Sequence, residues 1–223
     1  MKREETLEAI GPVRQNPAAP GLLVVGFRAW SEAWPETASA DPLREELEVG
    51  TTRAVHDVEG GRLALTAREH DSLEDALEGL ADTLEANQLA ELPRGPDGLG
   101  EAAFVHPPQA PPAAFFVRGN LVLSVTSFGA GPVDALPYAR RIDAELAERP
   151  AEVREDGIEV VEEGKTLRVE ARWAGPDAYL KYMAPGGRLR KAEDGVVVEG
   201  EPEAVEVFVV ERGRPTRGRR IRG

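Results

Sequence analysis

Three histidines, His56, His70 and His106, are the side chains of this sequence best suited to proton transfer or metal ligation. His56 and His70 each precede an aspartate, Asp57 and Asp71. Neighbours in a strand point to opposite faces, so neither pair is a dyad by adjacency alone. A hairpin turning at 59–61 would bring His56 and His70 to one end of a sheet. A metal held there would need Asp57 or Asp71 as third ligand. The favoured expectation is histidines on the surface or on an edge strand, with no metal and no cofactor. Ser72, His70 and Asp57 supply the groups of a nucleophilic triad. No Gly-x-Ser-x-Gly elbow accompanies them, and Ser124 and Ser127 fall within or at the end of a strand. The carboxylate pairs Glu4-Glu5, Glu45-Glu46 and Glu162-Glu163 read as solvated surface, because acid–base chemistry needs two carboxyls in a cleft. Gly95-x-x-Gly98-x-Gly100 lacks the dinucleotide order. Gly164-Lys165-Thr166 has Glu159 where a phosphate loop needs its first glycine. No run has calcium-loop spacing. The absence of cysteine excludes disulfides and thiolate chemistry. No catalytic residue is therefore expected, and the sequence reads as a protein that is not an enzyme.

Binding residues are easier to nominate. Trp30 and Trp34 stand four apart beside Phe27 and would share one helix face. They could form an aromatic ledge for a partner, although the favoured reading makes them core anchors. Trp173 reads as core of a second domain. The C-terminal segment carries Arg212, Arg214, Arg217, Arg219, Arg220 and Arg222 and no acid, whereas the whole chain has 27 Lys+Arg against 40 Asp+Glu and a net charge of −13. Residues 1–150 carry 13 basic and 25 acidic side chains, and residues 151–211 carry 8 and 15. So acidic a body repels phosphates and disfavours nucleic acid as partner. The arginines suit an acidic partner or an anionic surface, or a closing strand that neutralises its own body. With only 4 Lys against 23 Arg and with 23 Gly and 18 Pro, the composition suggests a GC-rich bacterial genome.

These candidates must be held by regular elements. Residues 21–27 form an apolar run, expected as a buried strand or a helix edge. Asp41-Pro42-Leu43 reads as a helix start. Thr51 to Val58 and Arg62 to Arg68 form a hairpin about Glu59-Gly60-Gly61. Ser72-x-x-Asp75 then opens a helix whose stripe is Leu73, Ala76, Leu77, Leu80, Ala81 and Leu84, ending near Asn87. The order recurs: Ala103 to His106, Ala114 to Val117, a turn at Gly119-Asn120, Leu121 to Val125, and a helix from about Asp134 to Glu148. The two ββα units, near 51–87 and 103–148, suggest a duplication at an offset of 58, and an antiparallel sheet with both helices on one face. Beyond Pro150, short strand candidates separated by Gly turns suggest a small all-β sandwich-like domain of roughly six strands. The expected fold is α+β, with residues 1–150 as the α+β domain and 151–223 as the all-β domain. No stretch of 18 apolar residues exists to span a membrane as a helix.

Three segments carry a resemblance: Gly98-Leu-Gly-Glu-Ala-Ala-Phe-Val105, Phe115-Phe-Val-Arg-Gly-Asn-Leu-Val-Leu-Ser-Val125, and Val133-Asp-Ala-Leu-Pro-Tyr-Ala-Arg-Arg-Ile-Asp-Ala-Glu-Leu146. In that order they resemble the repeated signature of uncharacterised bacterial extracytoplasmic modules, often found on lipoproteins. There a GxEA turn, an Arg/Lys-Gly hairpin and an ALxxARxxDxxL helix follow one another. The resemblance covers residues 62–148, brings no catalytic residues, and implies an envelope-associated module. The expected function is a non-catalytic binding or interaction module of the bacterial cell envelope, its partner an unknown protein or envelope component. Met1-Lys2-Arg3 is followed by Glu4-Glu5 without an apolar stretch, so an extracytoplasmic location requires a leader removed upstream. The alternative is a cytoplasmic regulatory or adaptor protein whose Arg-rich C-terminus contacts an acidic partner or nucleic acid.

Overall fold

A computed structural model describes residues 3–11, 19–29, 43–87, 94–129, 131–149, 157–171, 174–211, 214 and 216–222. Helix α1 spans Arg3–Ile10, and β1 is Leu23–Val25. A six-stranded antiparallel sheet follows. Its strands are β2 (Leu43–Glu48), β3 (Thr51–Val58), β4 (Gly61–Glu69), β5 (Ala102–Val105), β6 (Ala113–Arg118) and β7 (Leu121–Phe128), in spatial order β2-β3-β4-β7-β6-β5. Helix α2 (Leu73–Ala86) joins β4 to β5, and α3 (Leu136–Ala147) follows β7. The C-terminal third supplies β8 (Glu159–Glu163), β9 (Thr166–Glu170), β10 (Tyr179–Met183), β11 (Arg188–Ala192), β12 (Gly195–Glu199), β13 (Val205–Val210) and β14 (Arg217–Arg222). These form two four-stranded sheets, β1-β10-β13-β14 and β11-β12-β9-β8, packed face to face. The α+β class and the sandwich-like packing are thus as the sequence suggests.

The helices do not share a face. In β6, Ala113, Phe115 and Val117 pack with α2 residues Leu77, Leu80 and Leu84, while Ala114 and Phe116 pack with α3 residues Ala139, Ile142 and Leu146. Alternate residues of a strand point to opposite faces, so α2 and α3 lie on opposite sides of the sheet. A two-fold axis relating antiparallel hairpins β3-β4 and β6-β7 stands perpendicular to the sheet and would keep both helices on one side. The hairpin turns also correspond differently from the sequence alignment, since Val58 pairs with Gly61 and Arg118 with Leu121. The expected one-sided arrangement is therefore corrected. The reason is that β6 is buried along its whole length and offers an apolar surface to each side.

The molecule is a stack. The β11-β12-β9-β8 sheet packs on one face of the β1-β10-β13-β14 sheet through Leu23, Tyr182, Val196, Val198, Val205 and Val207. The other face of that inner sheet presents Tyr179 and Phe208 to the core that contains α3, Phe27 and the inner face of the six-stranded sheet. Helix α2 closes the far side, with α1 against it through Ile10. Strand β1 crosses the expected division at residue 150: it pairs antiparallel with β10, Val24 opposite Lys181. Two further elements differ from expectation. Leu43–Glu48 is a strand rather than a helix, because its backbone pairs with β3 and this outweighs a modest helical preference. Helix α3 begins at Leu136 rather than at Asp134, which accepts a hydrogen bond from Leu136 N at 3.0 Å, and Pro137 sits in its first turn.

Candidate binding cleft

The turn that opens β5 and the turn that closes β6 are fixed by ions. Arg118, the last residue of β6, is fully buried, with no exposed surface. Its Nε and Nη2 donate to Asp143 Oδ1 and Oδ2 at 2.6 and 2.8 Å, a two-pronged pairing with α3. Its Nη1 donates to Glu101 Oε1 at 3.0 Å. Backbone amides complete the set: Gly119 N donates to Glu101 Oε2 at 3.1 Å and Gly100 N to Asp143 Oδ2 at 3.2 Å. Burial pulls the Arg118 guanidinium down, yet the hydrogen bonds and charges of Asp143 and Glu101 outweigh it and hold Arg118 above its ordinary value. Desolvation pushes the Glu101 carboxyl up, against the pull of Arg118 and of the Gly119 amide. Glu101 and Arg118 are the one charged residue of each of the segments 98–105 and 115–125, and Asp143 is one of five in the segment 133–146.

The neighbouring residue, Asn120, binds the layers together. Its Oδ1 accepts from Val24 N at 2.7 Å, and its Nδ2 donates to Val24 O at 2.9 Å and to His70 O at 2.7 Å. The hairpin tip thus clamps β1 and the end of β4. Gly119 has φ +56°, and a Cβ there would lie 2.7 Å from Leu22 O, so only glycine lets the N-terminal segment pass this close. Glu69 makes a second clamp: its Oε2 accepts from Gly26 N at 2.7 Å and its Oε1 pairs with Lys191 of β11.

Between these clamps lies a cleft of about 330 Å³. Among the described residues its walls are Ala19, Gly21 and Leu22 before β1, Leu73 and Glu74 in the first turn of α2, and Gly187, Arg188 and Leu189 at the start of β11. Glu101 and Gly119 form its floor. Glu74 and Arg188 face one another at 3.6 Å across the rim, both largely exposed. The volume suits a small ligand or one protruding side chain.

The residues nominated from sequence are distributed differently. Trp30, Trp34, Trp173 and Arg212 lie outside the described residues. Arg214 is exposed and pairs with Glu211 at 2.9 Å. Arg217, Arg219, Arg220 and Arg222 belong to β14, which hydrogen-bonds to β13 as a strand of the sandwich. Arg219 and Arg220 are exposed, and Arg219 also reaches Ile158 O at 3.2 Å. His56 is buried on β3, an interior strand, which corrects the expectation of surface or edge histidines. It pairs with Leu63, so most of β4 separates it from His70, and the two histidines do not meet. His70 lies over Gly79 of α2, and burial lowers its basicity. His106 Nδ1 bonds Pro111 O at 2.7 Å. Ser72 caps α2, accepting from Asp75 N at 3.1 Å, and takes no part in a triad. No group of three or more potential ligands capable of holding a metal occurs among the described residues. No helix among them is long and apolar enough to cross a membrane.

Sequence reasoning identified the GxEA turn, the Arg-Gly hairpin and the Asp-bearing helix as separate structural motifs, and missed that their charged residues converge. The one available signal was an Arg at the end of a wholly apolar strand, which burial obliges to find carboxylates. Comparison with protein-family models, with curated proteins and with solved structures gave no match.

Proposed function

We propose that this protein is a non-catalytic binding module whose site is the cleft between the N-terminal segment, α2 and β11. The observation that carries the reading is the construction of the floor: Glu101 is fixed by Arg118 and Gly119 N, and Arg118 in turn by Asp143. A carboxylate so held is fixed in direction and presents its remaining acceptor positions to a ligand. The walls come from three chain segments clamped by Asn120 and Glu69, which limits the ordering cost of binding. Amide chemical-shift mapping with a fragment set of mixed charge tests this. Shifts grouped at Leu22, Glu101, Gly119 and Leu189 are expected, and a set that leaves all four unmoved overturns the assignment.

The placement of the module in the bacterial cell envelope rests on the resemblance of the three segments that meet at Arg118. Fractionation of cells expressing the native gene tests it, and recovery with the cytoplasm would remove this part of the proposal. A second reading draws on β14, whose exposed Arg219 and Arg220 stand on the last strand of the inner sheet. An acidic partner docking there would make the protein an adaptor. Loss of that partner in an Arg219→Gln/Arg220→Gln variant, with the cleft silent, would favour it.

A further inference from the structure

We infer that the cleft selects a primary ammonium or guanidinium carried on a short aliphatic stem. This rests on the cleft being the binding site and adds what it selects. Two carboxylates, Glu101 and Asp143, share the single guanidinium of Arg118 in the buried set. With both carboxyls ionised, one negative charge is left over. Asp143 takes two of the Arg118 nitrogens and Glu101 one, so the excess lies on the Glu101 side, where the cleft opens. A carboxylate offers about four acceptor positions. Glu101 accepts from Arg118 Nη1 and Gly119 N, one on each oxygen, its own backbone amide also stabilises the carboxylate, and it retains capacity for one further donor in the cleft.

The rim does not cancel this charge. Glu74 and Arg188 pair with each other and are 61% and 73% exposed, so they contribute little net field. Glu101, only 4% exposed, acts in a medium of low polarisability where a charge is felt strongly. The same floor repels an anion, and a neutral ligand would leave its charge unanswered. Leu22, Leu73 and Leu189 supply apolar wall for a stem of several carbons. A lysine side chain of a partner protein and a free alkylamine both present this chemistry.

The test is titration of the isotopically labelled full chain with n-butylammonium, butyrate, n-butanol and N-acetyl-lysine N-methylamide in turn. Butylammonium should shift the amides of Leu22, Gly119 and Leu189, and butyrate should not. Glu101→Gln should weaken binding by about tenfold or more, the scale of a charge-assisted hydrogen bond. Glu74→Gln changes an exposed rim charge without disturbing the buried set, and should weaken it by about twofold to fivefold. It therefore keeps the test open if Glu101→Gln folds poorly. Tighter binding of the blocked lysine points to a partner's side chain, and binding of butylammonium alone points to a free amine; either supports the inference. Equal or tighter binding of butyrate or butanol overturns the ligand class and leaves the cleft as the site. If no probe moves these amides while the mixed fragment set does, the ammonium inference falls alone. If the fragment set also fails, the cleft assignment falls with it.

Discussion

Replacing Arg118 by methionine tests the buried ionic set most directly. The side chain is fully buried and makes three hydrogen bonds to Asp143 and Glu101, whose side chains are 8% and 4% exposed. Methionine fills similar volume but leaves two carboxylates facing each other without a cation. Removing one partner of a buried ion pair costs about 3–5 kcal/mol. At about 2–4 °C per kcal/mol for a chain of this size, the melting temperature at pH 7 should fall by about 6–20 °C. The loss should depend on pH in a defined direction. Glu101 already sits above its ordinary value of 4.5 through desolvation, with Arg118 pulling it back. Without Arg118 it rises further. A carboxyl whose folded value exceeds its unfolded value binds protons first in the folded state. The variant therefore recovers stability as pH falls through that raised value toward 4.5, and the recovery is complete below it. Urea unfolding of both proteins at pH 7 and pH 5 measures this. The triple variant Arg118→Met/Glu101→Gln/Asp143→Asn should regain much of the loss, because no buried charge remains. A deficit below about 1 kcal/mol, or one that is the same at both pH values, would refute the assignment of these residues as a coupled buried set.

Three other substitutions probe how the layers are joined. Asn120→Ala strips three hydrogen bonds from the backbone of Val24 and His70, and should cost about 2–4 kcal/mol. Hydrogen exchange should show the Val24 amide losing protection before the rest of the inner sheet, and uniform loss would argue against a local clamp. Lys181 donates to Glu145 O and Glu148 O at the end of α3, and desolvation lowers it from 10.5 to about 8. Between about pH 8 and 10.5 the unfolded chain holds more protons at this site. The stability difference between wild type and Lys181→Met should therefore move toward wild type as pH rises through that window, by at most about 1.4 kcal/mol per pH unit; a flat difference contradicts the burial of the charge. Gly79→Ala would ordinarily strengthen a helix interior by about 1 kcal/mol. Here the added Cβ would stand 2.4 Å from the His70 ring, so thermal unfolding should show a loss, reversed in His70→Ala/Gly79→Ala.

The elements were legible where one period governed a segment. The stripe of α2, with Ser72 as its cap, and the hairpin of β3 and β4 follow from residues a few positions apart. The side of the sheet on which each helix lies was not legible, because Ala113–Val117 is apolar at every position and carries no alternation to read. Strand β11, Arg-Leu-Arg-Lys-Ala, escaped for the opposite reason: at the edge of its sheet it has only Leu189 buried, too little pattern to announce a strand. The segment Leu43–Glu48 looked helical because Asp41-Pro42 reads as a cap followed by a first helical position, whereas its backbone pairs with the edge of β3. The side each helix takes was decided by partners remote in sequence, whereas β2 and β11 pair across two-residue turns with β3 and β12.

The same remoteness hid the cleft. Glu101 belongs to a turn, Arg118 to a strand end and Asp143 to the third turn of a helix, and no local spacing relates them. What connects them is a physical obligation. A guanidinium placed at the end of a buried strand must find carboxylates, and those carboxylates must come from whichever elements the sheet order brings beside it. Strand β5 lies next to β6, and α3 crosses the same face, so Glu101 and Asp143 are the acids within reach. Because two answered where one would balance the charge, the floor of the cleft carries an excess that packing alone does not require. That excess is what makes a cation the chemistry to look for in the space above Glu101.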